Sequence, residues 1–212
     1  AIHIDTAKTT IIPHGISEYF LNKPKEQKGI GNYNEKNPYR LLYVSIVTVY
    51  KHQWNVAKAV SELRKKGYPV VLDLVGPNTD EGLALLNPVM KSEDPDHKFI
   101  FYHGMADKEQ LKAFYQQADA FVFASSCENM PIILIEAMTA GLPIACSDRG
   151  PMPEVLKENG FYFDPENVDS ITDALIRLVE NHELRSQMAK NTINEVKDYT
   201  WKVCAQNTFK YL

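Results

Sequence analysis

Two glutamates frame the most apolar stretch of the chain. Residues 128–136 read ENMPIILIE, so Glu128 and Glu136 stand at either end of a run whose last five interior residues, PIILI, carry no polar side chain. Ala137 and Met138 follow. A helix of this composition is apolar nearly all round and is expected to be buried. A carboxylate carried into such a place needs a cation, a set of hydrogen-bond donors, or a ligand that supplies them. Pro131 suits the first helical position, where its missing N–H costs nothing. The free N–H groups of that helix start, together with the helix dipole, attract an anion, typically a phosphate. Hydroxyl groups attached to such a phosphate come within reach of both carboxylates, which are good acceptors for them. Lys51, in YKHQW, follows a strand-like run and is a candidate cation for such an anion. Arg149, in SDRG, is a second candidate cation.

Other polar residues read as structural. His14 and His103 each precede a glycine and look like turn histidines. DPD, at 94–96, has the form of a metal-binding pair of aspartates but sits in a polar loop, and no metal is expected. GIGNYN, at 29–34, has part of a dinucleotide fingerprint but follows no strand and opens no helix.

The elements that must position these residues alternate along the chain. Strands are expected at 40–46, 69–76, 98–102, 119–124, 142–147 and 161–163. Helices are expected at 54–66, near 80–91, at 107–117, from about 131, at 151–157, 168–180, 184–196 and 200–211. Strands without polar alternation, separated by helices, indicate a parallel sheet covered on both faces. This is a doubly wound, Rossmann-like α/β domain, in which ligands bind at the carboxyl ends of the strands. Glu128 then lies in the crevice loop and Glu136 one to two turns into the helix. Before this region, TTIIPHGI (9–16) reads as a short strand-like run, and 22–38 as a long polar loop.

Composition narrows the class. The 212 residues are 44% hydrophobic and 24% charged, as in ordinary globular proteins, and suffice for one large domain. The net charge of −4 argues against a nucleic-acid platform. No apolar run approaches the roughly 20 residues that cross a bilayer, and the first residues do not read as a signal peptide. Cys127, Cys146 and Cys204 are widely spaced, which fits a reducing, cytoplasmic setting better than disulfides or zinc.

SSCENMPIILIEAMTAGLPIACSDRGPMPE, at 125–154, resembles the signature of retaining glycosyltransferases of the GT-B fold, in the glycosyl transferases group 1 family. That signature has two glutamates with seven residues between them, then a small-residue and glycine turn, a proline, a serine, and a further glycine before another Glu. Here these are Glu128, Glu136, Ala137, Met138, Gly141, Pro143, Ser147, Gly150 and Glu154. The upstream FYHGMADKEQLKAFYQQADAFVFAS (101–125), the IIPHGI run and the closing YTWKVCAQNTFKYL (199–212) are similar to the family as well.

The resemblance implies the donor-binding C-terminal half of a two-domain enzyme whose active site lies between the domains. On this division 1–38 is an inter-domain strand and linker, 39–198 the Rossmann-like nucleotide-sugar-binding domain, and 199–212 a closing helix. The implied ligand is a nucleotide-diphosphate sugar, with no metal and no other cofactor. Glu136 is implied to bind the ribose hydroxyls, and Glu128 to face the transferred sugar in binding or catalysis. The backbone amides of Asn129, Met130, Ile132 and Ile133 hold sugar and phosphate, Lys51 grips the diphosphate, and Gly104 and Met105 line the base pocket. Family members often carry a Gly-Arg pair after the first strand. Here Ser45-Ile46 stands there, leaving Lys51 alone or with Arg149. Met130-Pro131 replaces a glycine-containing loop, and Pro131 removes one amide donor.

The implied activity is transfer of a sugar to an acceptor hydroxyl with retention, in cell-surface polysaccharide or glycolipid synthesis. The expected location is the cytoplasm or the inner face of the membrane, with any membrane contact made through the N-terminal acceptor domain. Without that domain the chain is expected to be inactive. A nucleotide-sugar-binding module without its own chemistry, a GT-B-like epimerase and a phosphorylase carrying pyridoxal phosphate on a lysine remain open.

Overall fold

The structure, a computed structural model, describes residues 9–212; residues 1–8 of the expected region 1–38 lie outside the described residues. The apolar runs form six strands: β1 (Tyr39–Val44), β2 (Val70–Val75), β3 (Ile100–Tyr102), β4 (Ala120–Phe123), β5 (Ile144–Ser147) and β6 (Phe161–Phe163). They pair in parallel in the order β3-β2-β1-β4-β5-β6. The helices are α1 (Gln53–Lys65), α2 (Asp80–Glu93), α3 (Lys108–Gln117), α4 (Ile132–Thr139), α5 (Met152–Leu156), α6 (Val168–Glu180), α7 (His182–Glu195) and α8 (Trp201–Tyr211). This is the doubly wound architecture expected from the sequence. The strand order reverses between β1 and β4, and there the crevice for a ligand opens beyond the carboxyl ends.

Local chemistry sets the boundaries. Thr79, Asn167, Asn181 and Thr200 cap α2, α6, α7 and α8 by accepting backbone N–H bonds. Asp107 and Gln110 form a reciprocal capping box at α3. β1 and β4 meet through Leu41 opposite Ala120 and Leu42 opposite Phe121. All four of these side chains are fully buried, as a sheet covered on both faces requires. The ends of β1 and β2 approach closely at Gly76, which has φ +142°. A Cβ there would lie 2.2 Å from the Ser45 carbonyl oxygen, so only glycine fits.

One expectation about the N-terminal part is corrected. The run 9–16 forms no strand. Its one ladder contact is an isolated parallel bridge from Ile16 to Thr200, and it lies along the start of α8 rather than against a sheet edge. Gly15 permits this, since a Cβ on it would sit 2.1 Å from the Trp201 nitrogen. The polar stretch 22–38 is loop, as expected, with one short 3₁₀ turn at Ile30–Asn32, and it is anchored to the domain. Lys25 donates to the Ala118 carbonyl at 2.7 Å. The fully buried Arg185 of α7 donates to Gln27 and to the Lys28 carbonyl, and also to the carbonyls of Leu178 and Val179 at the end of α6.

Candidate functional site

The site is built where the strand order reverses. The loop after β1 carries Lys51 and the loop after β4 carries Glu128. These two side chains, 77 residues apart in sequence, form a direct ion pair across the crevice. Lys51 is only 5% exposed, and its ammonium lies 4.9 Å from the centre of the Phe123 ring and 5.2 Å from that of Tyr50. Both faces are favourable for a cation.

Three groups stitch the two loops together. The buried Tyr43 hydroxyl donates to the Lys51 carbonyl and accepts from the Ala124 N–H at 3.1 Å. Ser126 N–H donates to the Tyr50 carbonyl at 2.9 Å, and the His52 Nε2 lies 2.9 Å from the Ser126 hydroxyl. His52 adopts the left-handed conformation, φ +50°, uncommon for a side chain of this size. Burial holds its pKa below the usual histidine value. None of these ties was visible in the sequence. Tyr43 reads there as one more apolar strand residue.

The mouth of α4 departs from expectation in detail. Pro131 occupies the cap position rather than the first helical one, and no side chain caps the helix. Backbone carbonyls take part of that role: the Ile132 N–H donates to the Met130 carbonyl at 2.9 Å and the Leu134 N–H to the Pro131 carbonyl at 2.9 Å, which leaves the Ile133 N–H as the first-turn donor best placed for an anion. Asn129 is exposed, and Met130 is half-buried with its sulfur accepting the His14 N–H at 3.3 Å. The expectation that α4 is buried all round holds for Leu134, Ile135, Ala137 and Met138. It fails on the face formed by Ile132, Ile133 and Glu136, the glutamate lying four and three residues after the two isoleucines. Ile132 is 42% exposed, and Ile133 and Glu136 are half-buried. The carboxylate of Glu136 has one long contact, from the Tyr115 hydroxyl at 3.4 Å. Burial raises its pKa above the usual carboxylate value, and the Tyr115 bond opposes this only in part.

The remaining candidates lie around this centre. Gly150 borders the Glu128 carbonyl, so the β5–α5 turn adjoins the crevice. Arg149, beside it, is engaged with Asp164 at 3.0 Å and Asp148 at 3.4 Å, not with the Lys51–Glu128 pair. Gly104 and Met105 follow β3. The Gly104 carbonyl accepts the Gly76 N–H at 2.8 Å, which makes the ends of β1, β2 and β3 contiguous. Met105 is 78% exposed and, with His103, Gln110 and Phe114, lines a cleft of about 320 Å³. His103 is held from behind by the buried Asp73, at 2.8 Å, which also binds Arg40 at 2.7 Å. Asp94 accepts from the backbone N–H groups of Lys98, Phe99 and Ile100, and Asp96 pairs with Lys98. Both aspartates of the 94–96 loop are thus committed to local structure.

Comparison with known proteins identifies the family and the fold. The family model described as glycosyl transferases group 1 matches residues 24–195. The O-antigen chain mannosyltransferase B of Escherichia coli is 29% identical over 110 residues, which are 52% of this chain and 29% of that protein. Sucrose-phosphate synthase from Thermosynechococcus elongatus superposes with a TM-score of 0.78 at 20% identity, covering 94% of this chain and 50% of that one. Anabaena HepE, solved in complex with UDP and glucose, superposes at 0.77 and 16% identity, covering 93% and 56%. This chain therefore spans about half of those solved chains and under a third of the mannosyltransferase. The two structures share the GT-B fold, and the family match extends over most of this chain. The chain belongs to the glycosyl transferases group 1 family.

Proposed function

We propose that this chain binds the nucleotide-diphosphate sugar donor of a retaining glycosyltransferase. The diphosphate lies at the mouth of α4, with Lys51 and the amides of Asn129, Met130, Ile132 and Ile133 neutralising it as leaving group. Glu136 accepts from the ribose hydroxyls, Glu128 faces the transferred sugar, and Gly104 and Met105 border the base. Arg149 stands at the rim as an auxiliary cation.

The observation that carries this reading is the convergence at the strand-order reversal. A buried cation and a carboxylate from distant loops meet beside an uncapped helix start. A second carboxylate, Glu136, stands on the open face of that helix with one weak partner. The UDP bound by HepE and the O-antigen role in the mannosyltransferase's name support, for the parent enzyme, sugar transfer to an acceptor hydroxyl in cell-surface polysaccharide or glycolipid synthesis. The acceptor side is assigned to an N-terminal domain. Among the described residues no helix is long and apolar enough to cross a membrane. We place the enzyme in the cytoplasm or against the inner membrane face through that other domain.

Calorimetric titration with UDP, GDP, ADP and their sugars tests the donor site. One nucleotide should bind saturably, and Glu136→Ala should weaken it at least about tenfold, or 1.4 kcal/mol. Undiminished binding by the variant removes Glu136 from the site.

A further inference from the structure

We propose that Lys51 and Glu128 form an exchange pair: the ammonium binds either the Glu128 carboxylate or a diphosphate, and the arrival of the diphosphate frees Glu128 for the sugar. The inference rests on the reading of Lys51 as a diphosphate ligand and adds an order of events to it.

The argument is one of space around a single ammonium. The Phe123 and Tyr50 rings lie about it at 4.9 and 5.2 Å, and the Glu128 carboxylate takes a further approach. With the residue only 5% exposed, little of the ammonium remains for a second anion. The lysine's main chain is fixed, and its side chain is enclosed by the two rings. Its N–H is bonded to the Thr48 carbonyl at 3.0 Å, and its own carbonyl is held by Tyr43. Glu128 is the movable partner. It belongs to the loop between β4 and α4, flanked by the exposed Cys127 and Asn129. A phosphate anion therefore reaches Lys51 by displacing the carboxylate.

The exchange is electrostatically downhill for the lysine, because a diphosphate carries more negative charge than one carboxylate. In a largely enclosed site that difference counts for more than in water. The released carboxylate turns toward the crevice, where it regains hydration or sugar hydroxyls, which offsets the lost pair. The consequence is sequential engagement. A sugar without a diphosphate meets a neutralised Glu128, whereas a sugar that follows the diphosphate meets a free acceptor.

The test uses inorganic pyrophosphate as the probe. Calorimetry should show that wild-type protein binds it, that Lys51→Gln does not, and that Glu128→Gln binds it about tenfold more tightly because the competing carboxylate is gone. A crystal structure of wild-type protein with pyrophosphate, which needs no variant, should place a phosphate oxygen on the Lys51 Nζ and Glu128 beyond ion-pair distance. Equal or weaker binding by Glu128→Gln, or a Lys51–Glu128 pair that stays closed beside bound pyrophosphate, overturns the exchange and leaves the donor site standing. Failure of wild-type protein to bind pyrophosphate or any nucleoside diphosphate overturns both.

Discussion

At the scale of single residues, the two glutamates carry the same carboxyl group into opposite circumstances. Glu128 is neutralised by Lys51, while Glu136 is half-buried with only the Tyr115 hydroxyl at 3.4 Å. Burial raises the Glu136 pKa above its ordinary value of 4.5. A carboxyl that holds its proton more tightly when folded makes folding less favourable as pH rises. The loss of stability runs from that ordinary value upward through the raised one. Glu136→Gln should therefore flatten the pH dependence in this window and leave the protein at least as stable at pH 7. It should also weaken nucleotide binding. Thermal melts between pH 4 and pH 8 check it, and a marked drop in melting temperature at pH 7 would show that the carboxylate serves the fold instead. A ligand group kept at the expense of stability is a common mark of functional sites. The pair of glutamates was legible in the sequence because few carboxylates flank so apolar a run. The open face of α4 was not, since Ile132 and Ile133 look like core residues to any composition argument.

At the scale of elements, the crevice depends on how the loops after β1 and β4 are joined. Tyr43 is the central tie, because one hydroxyl satisfies the Lys51 carbonyl and the Ala124 N–H in buried surroundings. Tyr43→Phe keeps the ring packed against Phe123, 5.7 Å between centroids, and removes only that tie. Two buried backbone groups are then left unpaired, so the substitution should cost about 1–3 kcal/mol in urea denaturation. Nucleotide affinity should fall with it, because Lys51 loses its anchor. A cost within error would mean that the loops hold each other without Tyr43. The strands and helices themselves were legible, with ends within one to two residues for most. Fully buried parallel strands read as unbroken apolar runs, and caps such as Asp107 and Thr200 announce helix starts. What stayed hidden were ties between residues far apart in sequence. Arg185 reads as a surface arginine on a helix, yet it is fully enclosed and binds a loop 157–158 residues away. Local pattern carries no information about such a partner. The same limit produced the mistaken strand at 9–16, where Ile16 bridges Thr200 at the start of α8 and Ile11 stays exposed, so the run joins no sheet.

At the scale of the whole molecule, the proposed donor site occupies one face, the carboxyl ends of the strands. That face exposes apolar side chains at Val49, Tyr50, Met105 and Ile132. A second exposed apolar set runs along α8 and the strip beside it, with Phe209 78% and Ile11 93% exposed. Single exposed apolar residues are ordinary, but two groups of them on a chain spanning about half of its solved neighbours suggest surfaces built to be covered. Donor binding and sugar transfer should then separate. The 212 residues alone carry the groups assigned to the diphosphate, ribose and base, so they should bind the nucleotide. They hold no assigned acceptor site, so transfer from a radiolabelled donor should stay at the level of spontaneous hydrolysis. Adding the proposed N-terminal acceptor domain, as a separate chain or by fusion, should restore transfer and protect α8 from proteolysis. Transfer at an ordinary enzymatic rate of about 1–10³ s⁻¹ by the isolated chain would place the acceptor site within it. The crevice at the β1–β4 reversal would then have to hold both substrates.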